Sequence, residues 1–390
     1  MAAYREAFDA AAALVNVAQL IGHGTLRATF VDDITRPANE HELTQMCAAI
    51  EEAMDAGCLG LSAGLAYRSS SAATTAEMVV LARIVAARKG VFTIHLRDEG
   101  ADIINSVAEA IQIASETSVA TVLSHHKCVG KNAWGLTRQT LAEITAARAN
   151  EPSLTLELDC YPYTASSTVL MKERAASATR TELTHSAPFP QLAGRALDDI
   201  AREWGMPTDD VIARLSPAGA VYFNLDEADL LRVLKFPGSM IGSDGLLAPP
   251  QADGAHKQTD TQTHMQTNTQ LHTRPHPRLW GTFPRVLGHY VRERGVLTLA
   301  DAVHRMTGAP ARVFGLRNRG AISVGAFADL VLFDADKVID CATFESPTAV
   351  ATGIECVWVN GHAVWDGIKC CLNTHAATRP GRWLARSENN

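Results

Sequence analysis

The chain has 390 residues, of which 47% are hydrophobic and 20% charged, a balance that suits one large globular unit with an appendage and excludes a disordered profile. A net charge of -7 without a basic block leaves no electrostatic footprint for nucleic acid or an anionic membrane surface, so small-molecule chemistry is favoured. The 8 cysteines show no Cys-x-x-Cys spacing and read as reduced thiols, and no run approaches the ~20 apolar residues of a membrane span. With charges inside what would be a leader's apolar region, the expectation is a cytoplasmic protein without signal peptide.

In chain order, strand-like runs fall at 17–21, 58–61, 91–95, 120–124 and 154–160, near-continuously apolar as strands covered on both faces are. Helix-like stretches separate them at 74–89, 101–115 and 137–149, and Gly90 is the expected stop of the first. This βα rhythm predicts a parallel α/β architecture, a barrel or a doubly wound sheet. It breaks at 164–223, a long insertion with helices near 197–204 and 209–215 that reads as a lid. A further strand at 239–242 leads to Asp244. A loop at about 248–275 is rich in Gln, Thr and His and carries no hydrophobic periodicity; its His256, His264 and His272 are at best weak metal ligands. Helices at 300–306 and 309–314 precede a small β-unit from about 319 to 390, in which Asn360-Gly361 is a hairpin turn. The expected division is a β/α barrel over 1–318 and this β-unit beyond it.

Three strand ends carry chemistry. His95 closes Thr-Ile-His, His125 closes Leu-Ser-His, and Asp244 sits in Gly-Ser-Asp-Gly. In parallel barrels such positions converge on one mouth. Neutral histidines one strand-plus-helix apart suit zinc, and a nearby aspartate suits proton transfer to and from water and a leaving amine. Each also has a plain structural use, as a hydrogen-bonded core histidine or a turn former. Lys127, Tyr161 and Arg278 are candidate contacts for an anionic substrate, Arg278 as a carboxylate clamp.

At these residues the chain resembles the N-acyl-D-amino-acid deacylases (D-aminoacylases) of the amidohydrolase superfamily. The likeness runs from about 15 to 382. It is carried in order by Gly60-Leu-Ser-Ala-Gly-Leu-Ala-Tyr67, His95-Leu-Arg, Ser124-His-His-Lys127, Asp159-Cys-Tyr-Pro-Tyr163, Gly242-Ser-Asp-Gly245 and His276-Pro-Arg-Leu-Trp-Gly-Thr-Phe-Pro-Arg285.

The resemblance implies a (β/α)8 TIM barrel with a small β-domain, with His95 and His125 as ligands of Zn2+ and Asp244 as catalytic acid/base. It also implies that Lys127, Tyr161 and Arg278 bind the substrate's α-carboxylate, and that the substrate is a small N-acyl-D-amino acid cleaved to a carboxylate and a free D-amino acid. The D configuration comes from the family alone. Two family features are absent: a His-x-His on the first barrel strand and a zinc-binding cysteine in a Gly-Asn-Cys-Gly-like turn on the second. The run at 17–21 matches the family's third strand, so the expectation is an N-terminally truncated barrel lacking its first two strands. The alternatives are a catalytically inactive remnant, or another amidohydrolase such as a cyclic amidase. Against the latter, the Lys127, Tyr161 and Arg278 set suits a free carboxylate. Arg174, near the start of the insertion, is a candidate contact for an acidic substrate side chain.

Overall fold

The computed structural model describes residues 1–11, 13–246, 273–371 and 379–385. The expected polar loop, with His256, His264 and His272, lies almost wholly outside the described residues.

Among the described residues, nine strands precede Leu246: β1 (Leu20–Gly22), β2 (Gly60–Gly64), β3 (Val91–His95), β4 (Ala120–Leu123), β5 (Leu156–Cys160), β6 (Ser166–Val169), β7 (Thr181–Ser186), β8 (Ala218–Tyr222) and β9 (Ser239–Ile241). Six of them form one parallel sheet in the order β1-β2-β3-β4-β5-β9. These are the six strands expected from the apolar runs. Among the described residues β1 and β9 are the two edges. Val91, Phe92 and Ile94 are completely buried, because helices pack over the sheet. This is a parallel α/β fold, and a separate small antiparallel sheet follows it in the chain.

The helix Thr75–Ala87 illustrates the covering layer. Thr74 caps it by accepting from the Glu77 N–H, and Met78, Leu81, Ala82 and Val85 bury one stripe. Its left-handed terminating residue is Lys89, at φ 54°, where Gly90 was expected. Gly90 is needed for a different reason: a Cβ there would stand 2.6 Å from Val85 and 2.7 Å from Met54. The helix Glu40–Asp55, not anticipated from the sequence, starts from a capping box between Asn39 and Glu42.

Two boundaries shift most. The run at 17–21 is strand only over Leu20–Gly22, while Val17 bridges to Trp383. The run at 58–61 shifts forward to Gly60–Gly64, since the Cys58 N–H is donated back to the Ala53 carbonyl at the end of the preceding helix. The insertion contains the expected helices, Leu197–Trp204 and Thr208–Leu215, and also an unanticipated antiparallel sheet of order β6-β8-β7. Its own core includes Leu183, Leu197, Ile200, Val211, Leu215 and Tyr222. The later strands β10 (Leu330–Phe333), β11 (Ile354–Val359) and β12 (His362–Trp365) form the small sheet. β11 and β12 join through Asn360 and Gly361, both left-handed, at φ 49° and 84°.

Beside the C-terminal end of β1 lies a buried charge network. Arg27 Nη1 donates to both Glu77 oxygens at 2.7 and 2.8 Å, and His23 Nε2 lies 3.0 Å from the same carboxylate. Arg27 also donates to the carbonyls of Ser69, Ile34 and Arg36, so none of its nitrogens lacks a partner.

Candidate metal and carboxylate site

In a parallel sheet every C-terminal strand end lies on one side, and four of them carry the expected residues. His95 is the last residue of β3, and His125, Tyr161 and Asp244 follow β4, β5 and β9 within three positions. His125 and Asp244 are both left-handed, at φ 41° and 48°, a rare conformation for residues other than glycine. His95, His125 and Asp244 line one cleft of about 520 Å³, together with Gly22, Tyr67 and Ser124.

The two histidines meet. His95 Nδ1 lies 2.9 Å from His125 Nε2. Burial pushes His95 down to about 3, against the partial opposition of Glu99, so its imidazole is neutral at neutral pH, as a metal ligand must be. Its Nε2 is buried without a hydrogen-bond partner. Ligand atoms of His95, Glu99 and His125 all lie within 4.8 Å of one another, so the three can hold a metal ion. Two imidazoles and one carboxylate form a donor set that suits zinc, and the orphaned His95 nitrogen fits that use.

Glu99 was not picked out from the sequence. It stands four residues beyond His95, in the loop after β3, and is nearly inaccessible. Lys127 Nζ contacts its Oε1 at 2.6 Å, and Arg174 Nη2 its Oε2 at 2.7 Å. Burial would raise its carboxyl; the neighbouring His95, Lys127 and Arg174 side chains outweigh that and hold it well below the usual range. Lys127 also approaches His125 Nδ1 at 2.7 Å. Burial lowers the Lys127 ammonium, and Glu99 works against that shift. Arg174, expected to face substrate, thus spends its charge on Glu99. A second overlooked group is Asp159, whose Oδ1 accepts the His125 N–H at 2.8 Å. Its carboxyl is raised by burial. An acidic residue at the end of a strand that also carries Glu157 was the signal available in the sequence for it.

Tyr161 brings the three candidate anion contacts together. Lys127 Nζ lies 5.7 Å and the Arg278 guanidinium 4.6 Å from the centre of its ring. Its hydroxyl is buried without a partner, and burial keeps it protonated by pushing its pKa up. Arg278, 3% exposed, donates through Nη2 to the Ser167 carbonyl at 3.1 Å and pairs with Asp244 Oδ2 at 2.8 Å. Its Nε and Nη1 are buried without partners. His276 Nδ1 accepts the Arg278 N–H at 3.0 Å and Nε2 lies 3.0 Å from the Ala165 carbonyl, so that loop is tied to the insertion.

A sequence model of the amidohydrolase family matches residues 272–365. The chain is 44% identical to a D-aminoacylase of Alcaligenes xylosoxydans xylosoxydans over 384 residues, covering 98% of this chain and 73% of that protein. It superposes on the crystal structure of a D-aminoacylase with a TM-score of 0.88 and 42% identity, covering 99% of this chain and 75% of the other. Against the N-acyl-D-glutamate deacylase of Bordetella bronchiseptica, complexed with zinc and a phosphonate mimic of the tetrahedral intermediate, the TM-score is 0.87 and the identity 40%. There 98% of this chain and 74% of that one are covered.

Proposed function

This chain belongs to the D-aminoacylase family of the amidohydrolase superfamily, hydrolases of amide bonds, and from that premise we propose that it cleaves N-acyl-D-amino acids to a carboxylate and a free D-amino acid. His95 and His125 are the residues that hold zinc, with Glu99 as the adjoining carboxylate. Zinc bound there supplies Lewis acidity toward a carbonyl oxygen and acidifies water. Asp244 accepts the proton of the attacking water and returns it to the departing nitrogen. Lys127, Tyr161 and Arg278 hold the α-carboxylate, and the insertion at 164–223 closes over the cleft as a lid.

The observation that carries this reading is a deficit of acceptors. Arg278 Nε and Nη1 and the Tyr161 hydroxyl are buried donors without partners. Native proteins leave few such groups unsatisfied, and a free carboxylate satisfies donors of this kind. The same feature disfavours a cyclic amide as substrate, since a ring amide brings no carboxylate. The test is zinc content by elemental analysis together with release of amine from N-acetyl-D-methionine and its L-enantiomer. The expected result is stoichiometric zinc, turnover of the D-enantiomer alone, and its loss in Asp244→Asn with zinc retained. Turnover unaffected by Asp244→Asn would sink the assignment.

A second reading, a non-catalytic relative, is favoured by the engagement of Glu99 with both Lys127 and Arg174. Two fixed cations compete with a metal ion for that carboxylate. On this reading the protein emerges from dialysis against zinc with none bound.

A further inference from the structure

We propose that Asp159 is a positioning residue for the metal site: its carboxylate pins the main chain of His125 in its left-handed conformation and thereby sets the affinity for a divalent cation. The proposal rests on the metal reading above. The ladder between β4 and β5 ends at the Leu123 and Leu158 pair. Past that point the Ser124 N–H turns away to the Ile94 carbonyl on β3. The next two N–H groups both return to residue 159: that of His125 to Asp159 Oδ1 at 2.8 Å, and that of His126 to the Asp159 carbonyl at 2.8 Å. The side chain thus extends the strand pairing by one residue, at the position where the backbone departs from strand geometry.

That departure has a cost, and something must hold it. A histidine at φ 41° occupies a region open chiefly to glycine. In that conformation its Nε2 faces His95 Nδ1 at 2.9 Å; in extended backbone the ring would leave the pair. The carboxylate is also confined on its far side, since a Cβ at Gly242 would stand 3.2 Å from Asp159 Oδ1. The residue just after β9 therefore walls the pocket in which this acceptor sits, and a side chain at 242 would push the carboxylate by a few tenths of an ångström.

Zinc affinity is measured by competition with a chromophoric chelator on the full chain, and backbone pinning by hydrogen–deuterium exchange of the peptide spanning 121–128 in the metal-free protein. Asp159→Ala is expected to weaken zinc about ten-fold or more, as loss of a supporting hydrogen bond to a ligand does, and to speed exchange of that peptide. Asp159→Asn keeps an oxygen acceptor in place and restores both. Gly242→Ala, which crowds the carboxylate without removing it, weakens zinc in the same direction. Wild-type affinity and exchange in Asp159→Ala overturn the proposal, as does an Asp159→Asn variant that loses as much as Asp159→Ala. A wild-type chain without zinc affinity refutes the metal reading instead, and the exchange comparison then still decides whether Asp159 pins His125.

Discussion

Glu77→Gln tests the buried network beside β1. The carboxylate receives Arg27 Nη1 at 2.7 and 2.8 Å, stands 3.0 Å from His23 Nε2 and accepts the Ala38 N–H at 3.2 Å. Arg27 is wholly buried, so neutralising Glu77 leaves a guanidinium without a counter-charge and turns an amide N–H toward it. Breaking a buried pair by removing one partner costs roughly 3–5 kcal/mol. Unfolding entropy of about 2.1 cal/mol/K per residue gives roughly 0.8 kcal/mol/K for a chain of this length. A loss of about 4 kcal/mol therefore lowers Tm by roughly 5 °C.

The pH dependence is a second signature of the same network. Burial would raise the Glu77 carboxyl, but the hydrogen bonds from His23 and Arg27 outweigh it and hold it below the usual 4.5. A depressed carboxyl stabilises the fold above its unfolded value, and that stabilisation is lost as pH falls through the folded value. The difference between wild type and Glu77→Gln should thus be full at pH 7 and shrink below about pH 4.5. Urea denaturation over pH 3 to 7, with calorimetry at pH 7, measures both. A variant within about 1 kcal/mol of wild type at pH 7, or a gap that does not narrow in acid, would refute the reasoning.

Three further expectations concern the cleft and its surroundings. Arg278→Lys should raise KM for N-acyl-D-amino acids about ten-fold or more, through loss of charge-assisted hydrogen bonds; an N-acyl amine lacking the carboxylate should be handled alike by both proteins, and steady-state kinetics on the two substrates checks this. Removal of metal with a strong chelator should abolish turnover and re-addition of zinc should restore it, while far-ultraviolet circular dichroism stays unchanged. Burial holds His126 down to about 4 in the folded chain against an ordinary 6.5, so the unfolded state binds the extra proton and stability is lost as pH drops from about 6.5 to about 4. His126→Asn should flatten that limb of the stability curve, which acid-dependent urea titrations would reveal.

Much of the scaffold and the cleft is legible in the sequence because its signals are local. Continuous apolar runs bounded by turn residues mark strands covered on both faces, and six such runs correspond to the six strands of the parallel sheet. Parallel pairing then sends every strand end to one side, which is why His95, His125, Tyr161 and Asp244 fall together without any knowledge of their contacts. Asn360-Gly361 was equally readable, since two adjacent left-handed residues need such side chains.

What only the tertiary structure decided depends on partners distant in the chain. β6 and β7, rich in Ser and Thr, pair with the apolar β8 across an insertion, so their sheet is set by non-local hydrogen bonds. Glu99, Arg174 and Lys127 are ordinary charged residues until the fold buries a carboxylate between two cations. Arg174, a candidate contact for an acidic side chain, is in the fold also a partner of Glu99. Asp159 matters through one hydrogen bond to a backbone N–H, and side-chain identity alone does not reveal the acceptor of a main-chain group. The sequence by itself determined which strands form and which side chains stand at their ends, because hydrophobic patterning and turn chemistry act over a few residues. Which of those side chains hold one another in place was decided by burial and charge in the assembled fold, where distance along the chain counts for nothing.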